Sequence, residues 1–234
     1  MDFDNTLELF YSRLVAKGDV VVDVGAHAGR HTIPLSRLVG NSGRVIAFEP
    51  LPGMRHHLNL NLAAANVTNA DVLAYALAAE TGKSFFHNIV AAPAYSGLLK
   101  RDVPIESEVE VIEVEKNRLD RIDMPTPSFV KIDAEGGDFD IIRGAEGILR
   151  RGSTVFAFEF GMNACHLYNF TPDDLLNFAA GLDHFILDVY GQELNGPEFK
   201  TAVAAGKTWD WYIAPARSRE KVRAIFDTLP VRSR

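Results

Sequence analysis

Val20-Val21-Val22 runs into Asp23, Val24, Gly25, Ala26, His27, Ala28 and Gly29, and residues 30–38 then read as a helix. A short β-branched run that breaks at a glycine and restarts as an amphipathic helix is the opening unit of a parallel α/β sheet, which holds its ligand at the carboxyl end of that strand. This unit constrains the rest of the chain, because every later strand must find a place in the sheet it begins.

The same unit limits the ligand. A dinucleotide turn has the spacing G-x-G-x-x-G, whose middle glycine lets a pyrophosphate approach backbone amides at the helix N-terminus. His27 occupies that middle position, so a diphosphate would meet an imidazole. A cofactor built from an amino acid and a nucleoside, with no phosphate, tolerates it. Asp23 at the strand end is placed for an ammonium group, directly or through water. Glu49 ends the next strand, residues 44–48, and is placed to accept both hydroxyls of a ribose. Pro50 fixes the backbone after it, and Leu51 or Pro52 would cover one face of a base. Taken singly, the glycines equally suit tight packing and Glu49 equally suits a loop cap.

Three stretches occur in series: Val21-Val22-Asp23-Val24-Gly25-Ala26-His27-Ala28-Gly29, Gly43-Arg44-Val45-Ile46-Ala47-Phe48-Glu49-Pro50, and Phe129-Val130-Lys131-Ile132-Asp133-Ala134-Glu135-Gly136. Through them the chain, from about 20 to 159, resembles the FkbM-type methyltransferases. It departs from them at His27, where asparagine is more usual, and at Gly137-Asp138, which replaces a small residue followed by Glu. The resemblance implies S-adenosylmethionine-dependent methyl transfer, usually onto oxygen, with S-adenosylhomocysteine as product. It also implies a class I methyltransferase (Rossmann-like) α/β sheet, mostly parallel with an antiparallel last strand. On that fold the cofactor would meet Asp23, Gly25, Ala26, His27, Gly29, Thr32, Glu49, Pro50 and Leu51. Ala76 and Leu77 would line the adenine, and Asp133 would lie beside the methionine tail.

Composition narrows the partners. A chain of 234 residues with 47% hydrophobic content suits one α/β domain over 1–234. A net charge of −7 and a pI near 5.5 provide no basic excess to displace counterions, which argues against nucleic acid. The single cysteine, Cys165, leaves no disulfide and no thiol cluster for zinc, and beside His166 it reads as a core or loop thiol rather than a nucleophile. No secretory signal is evident at the amino terminus. No run reaches the roughly 18 apolar residues that span a bilayer, so a cytoplasmic protein without a membrane partner is expected.

Along the chain, helices are expected over 5–16, 53–65, 139–149, 171–180 and 217–229. Strands are expected over 69–78, 83–88, 108–115, 127–133, 154–160, 184–190 and 209–214. The segment 1–18 is an N-terminal helix lying across the cofactor mouth or against the first strand. Residues 83–116 form an inserted hairpin whose irregular 89–107 loop is a candidate lid or substrate loop, with Tyr95 and Ser96 meeting a ligand.

Methyl transfer needs an aligned acceptor and a group to take its proton. Asp133 or Glu159 is the expected base, with Glu135 in support and His27 or His166 as weaker candidates. These carboxylates are expected to line one concave wall. A magnesium ion held by them is the less favoured alternative. The acceptor is expected to be a hydroxyl on a small molecule or sugar. An NAD-dependent oxidoreductase and a noncatalytic cofactor-binding relative are the rival readings.

Overall fold

The computed structural model describes residues 3–101 and 107–230. In chain order it forms α1 (Phe3–Leu14), β1 (Val20–Val24), α2 (Thr32–Val39), β2 (Arg44–Phe48), α3 (Pro52–Ala64), β3 (Ala70–Leu73), β4 (Tyr75–Leu77), β5 (Gly82–Ile89) and β6 (Val109–Asn117). There follow β7 (Phe129–Ile132), α4 (Asp138–Arg143), α5 (Glu146–Arg150), β8 (Val155–Glu159), α6 (Met162–Tyr168), α7 (Pro172–Gly181), β9 (His184–Asp188), α8 (Gly196–Ala204), β10 (Asp210–Pro215) and α9 (Arg219–Asp227).

The main sheet has the order β3-β2-β1-β7-β8-β10-β9. Its pairings are parallel except for β10, which is antiparallel to both neighbours. This is the α/β arrangement expected, a mostly parallel Rossmann-like sheet closed by an antiparallel strand. The chain moves outward from β1 to β3 and then returns to place β7 on the other side of β1. That reversal opens a crevice at the carboxyl ends of β1 and β7.

The central strands read as apolar runs because both faces are covered. On one face Val22, Val24, Ile46, Phe48, Val130 and Ile132 pack with Phe139, Ile141 and Leu149. On the other, Val21, Val45 and Phe129 pack with Phe10 and Tyr11 of α1, Leu35 of α2 and Phe226 of α9. The Phe10 ring lies 4.7 Å from Phe226 and 4.5 Å from Tyr212. Of the two places expected for α1, it therefore takes the sheet face, and the Tyr11 hydroxyl reaches His31 Nδ1 at 3.2 Å.

Several elements differ from the sequence expectation. The strand expected over 69–78 divides: Ala70–Leu73 stays beside β2, while Tyr75–Leu77 pairs in parallel with β6 in a separate sheet of order β4-β6-β5. Continuous strand propensity does not specify which edge a segment pairs with. The helix expected over 139–149 breaks at Gly144. A Cβ there would strike the Ala78 carbonyl oxygen, and Asp120 accepts from the amides of Gly147 (2.8 Å) and Ile148 (2.9 Å), starting α5 afresh. α6 and α8 fall in segments where no helix was expected, α8 within the connection between the last two strands. α8 carries a capping box, with Asn195 accepting from the Glu198 amide at 3.0 Å and Glu198 accepting from the Asn195 amide. The expected hairpin forms as β5 and β6, paired antiparallel; residues 102–106 of its 89–107 loop lie outside the described residues. Among the described residues no helix is long and apolar enough to cross a membrane.

Candidate cofactor cleft

The crevice is a cleft of about 220 Å³. Its floor begins where β1 ends. Gly25 has φ 74°, and a Cβ on it would run into the Asp133 carbonyl oxygen, so only glycine lets β1 and β7 close together here. The amides of Gly25 and Ala26 both donate to the Phe48 carbonyl at 3.0 Å. His27 has φ 45°, and its amide donates to Glu49 Oε2 at 3.0 Å. Burial pulls the His27 imidazole below its ordinary range, with Lys131 and His57 adding to this against the opposing charge of Asp133.

Glu49 is buried at the end of β2. Its Oε1 accepts from the Leu51 amide at 2.9 Å. Burial raises its carboxyl above the usual range, while these two amides act in the other direction. Each carboxylate oxygen has a second lone pair, so acceptor capacity remains. Beside it Leu51, Ala76 and Phe86 form an apolar cluster on which Leu98 packs.

Asp23 lies at the other side of the cleft, fully buried. Thr32 donates to its Oδ2 at 2.6 Å. Its Oδ1 is buried without a hydrogen-bond partner; the Lys131 ammonium is 3.8 Å away. Lys131 itself is buried and donates to Asp133 Oδ2 at 3.1 Å. Burial would depress this ammonium, but Asp133 and Asp23 outweigh it and hold it above its ordinary value. Asp133 leaves 40% of its side chain exposed and faces the cleft.

Most of the residues expected at the site meet here: Asp23, Gly25, Ala26, His27, Glu49, Pro50, Leu51, Ala76, Leu77, Ser96, Asp133 and Glu135 all line the cleft. Thr32 and Gly29 do not. Thr32 stands behind Asp23 and orients it, and Gly29 backs onto the Leu58 side chain. Ser96 contributes wall rather than a ready ligand, since its Oγ accepts from the Ile89 amide at 2.9 Å.

Glu159 corrects the expectation of three acids on one wall. Side chains alternate along a strand, so Phe156 and Phe158 join one core while Ala157 joins the other, and Glu159 follows Ala157. It lines a separate cavity of about 30 Å³ with Leu7, Lys131, Asp133 and Asp210. Burial, with Asp133, Asp138 and Asp210, pushes it up to about 8. Glu135 faces the cleft but is ion-paired with Arg101. Asp138 reaches the amides of Ala134 (3.3 Å) and Glu159 (3.1 Å), stitching the ends of β7 and β8. Its burial, with Asp133 nearby, pushes it up to about 7. Among the described residues no group of three or more His, Cys, Asp or Glu side chains is arranged to hold a metal ion.

Lys131, Arg101 and Tyr168 also line or reach the cleft and were not among the expected site residues. For Lys131 a signal existed: a charge inside the apolar run Phe129-Val130-Lys131-Ile132 requires a buried partner. Cys165 is buried on α6, and burial pushes its thiol up to about 11, which removes it as a nucleophile near neutral pH.

The sheet order, the antiparallel β10 and a cleft at the β1–β7 switch point define a class I methyltransferase (Rossmann-like) fold. The family model of the methyltransferase FkbM domain matches residues 23–184, and the chain belongs to that family. Among solved structures it is similar to the methyltransferase FkbM of Methylobacillus flagellatus, with 19% identity and a TM-score of 0.53 over 83% of this chain and 43% of that one. The chain thus spans less than half the length of that relative. It is also similar to a SAM-dependent O-methyltransferase of Thermotoga maritima, with 13% identity and a TM-score of 0.51 over 90% of this chain and 64% of that one. No curated protein matches it in sequence.

Proposed function

We propose that this methyltransferase domain uses S-adenosylmethionine to methylate a hydroxyl oxygen on a small molecule or sugar. The observation that carries the reading is Asp23 Oδ1, a buried carboxylate oxygen without a hydrogen-bond partner beside the cleft. The Lys131 ammonium at 3.8 Å compensates its charge but gives it no hydrogen bond, and the ammonium of a methionine tail would supply one. Glu49 would take the ribose hydroxyls, and the apolar space between Leu51 and Ala76 suits a flat purine.

Bound there, the cofactor supplies an electrophilic methyl group on a sulfonium. The chain's own residues supply the rest. Asp23 and Glu49 would hold the two ends of the cofactor, and Asp133 would orient the acceptor hydroxyl and take its proton. Lys131 orients Asp133 through the 3.1 Å hydrogen bond. The reading uses no magnesium, because Glu135 is held by Arg101 and Glu159 opens to a different cavity, so the expected set of three carboxylates does not converge.

A dinucleotide fits less well. The amides of Gly25, Ala26 and His27, which a pyrophosphate would need, already donate to Phe48 and Glu49. Calorimetric titration with S-adenosylhomocysteine and NADH tests the choice. Micromolar binding of the first and none of the second is expected; the reverse pattern ends the reading. Labelled methyl transfer from S-adenosylmethionine into fractionated small-molecule extracts then identifies the acceptor class, and incorporation into RNA alone would overturn the small-molecule assignment.

A further inference from the structure

The segment after β5 builds part of the cleft wall, and its attachment points to a function for Glu135 other than proton transfer. Residues 90–101 turn through Pro93–Tyr95 and double back so that Gly97 bridges to His87. Pro93, Ala94, Ser96 and Leu98 line the cleft, and Leu98 packs on the Leu51–Phe86 cluster. Beyond them Arg101 forms an ion pair with Glu135 and sets its guanidinium 6.0 Å from the Tyr95 ring centroid. The two side chains are only 23% and 21% exposed, so the pair is largely sheltered from solvent screening. Among the described residues it is the ion pair that joins 90–101 to the loop following β7.

The backbone supports the same assignment. Glu135 has φ 54° and Gly136 has φ 100°. A side chain in this left-handed region crowds its own backbone, whereas glycine does not. A glutamate held there, in a chain that uses glycine at the next position, is accounted for by what its carboxylate grips. Gly97 seats against the same turn: a Cβ on it would lie 3.8 Å from the Glu135 carbonyl oxygen and 3.9 Å from that of Ala134.

We propose that Arg101 and Glu135 are positioning residues that latch residues 90–101 across the cofactor cleft and set the rate at which cofactor and product exchange. The proposal rests on the S-adenosylmethionine reading of the cleft. A latched wall excludes water during transfer and must release before product leaves.

Release of labelled S-adenosylhomocysteine, chased with unlabelled compound, tests the latch on the full chain. Arg101→Gln and Glu135→Gln are each expected to speed release about three- to tenfold, and the double variant is expected to release no faster than the faster single one. The exchanged pair, R101E with E135R, is expected to slow release again. Glu135→Gly removes the carboxylate and the backbone crowding together, so it should release as fast as Glu135→Gln while melting no lower than the native chain. Native release rates in both single variants, or losses that add in the double variant with no recovery in the exchanged pair, overturn the latch. Loss of methyl transfer with unchanged release also overturns it, and returns Glu135 to the chemistry. If the native chain fails to bind S-adenosylhomocysteine at all, the cofactor reading beneath the proposal fails first.

Discussion

Asp23 places two demands on one carboxylate. Its Oδ2 anchors the start of α2 through Thr32, while Oδ1 is buried without a hydrogen-bond partner. Asp23→Asn separates the two roles. The amide oxygen still accepts from Thr32, but an NH2 group then stands where a ligand ammonium would sit. Affinity for S-adenosylhomocysteine is expected to fall roughly 10- to 100-fold, the size of a lost charge-assisted hydrogen bond, with a lower melting temperature because the buried Lys131 ammonium keeps only Asp133 as its partner. Titration calorimetry alongside a thermal melt checks both halves; unchanged affinity would remove Asp23 as the tail's partner. This residue was legible in the sequence because a carboxylate at the end of an apolar strand, two positions before a glycine, has few structural uses. Lys131 was legible only as a charge in need of a buried partner; the partner's identity was not, because the pairing of Asp23 with Lys131 joins strands over 100 residues apart in the chain. Glu135 was legible as a cleft residue, but its partner lies on an irregular segment whose path no periodicity reports.

Helices and strands here follow local pattern until a tertiary contact overrides it. α5 is an instance. The periodicity of 139–149 is continuous, yet Asp120 reaches across from another segment and caps a new helix at Gly147 and Ile148. Asp120→Ala should therefore cost about 1 kcal/mol, the usual worth of an N-terminal cap, measured by urea denaturation, and should leave cofactor affinity unaltered because Asp120 does not line the cleft. No loss of stability would mean that α5 is held by its core contacts through Ile148 and Leu149 alone. The division of 69–78 between two sheets has the same origin. Nothing local distinguishes Leu73 from Tyr75, but the end of β2 stops at Glu49, whose amide donates to Leu73, and β6 offers the next free edge. By contrast α8 was readable: Asn195, Pro197 and Glu198 spell out a helix start, obscured only by the expectation of a plain connection between the last two strands.

For the molecule as a whole, the acids gathered where β7, β8 and β10 end make stability depend on pH in an unusual direction. Glu159 is raised to about 8 by burial and by Asp133, Asp138 and Asp210, and Asp138 to about 7 by burial and Asp133. In the unfolded chain both ionise near pH 4. Between pH 4 and about 8 the folded state therefore holds protons that the unfolded state has lost, and stability falls as pH rises through that window. His27 and His184 act oppositely: burial lowers both, so each opposes folding as pH drops below its ordinary value. The contribution of Glu159 can be isolated because Glu159→Gln keeps shape and removes only the titration. Below pH 4 the group is protonated in both states and the variant should melt with the native chain. Its melting temperature relative to native should then climb steadily from pH 5 to pH 8, in buffers matched for ionic strength. A constant difference across that range would mean that Glu159 ionises normally, and that the small cavity it shares with Asp210 and Lys131 is open to water.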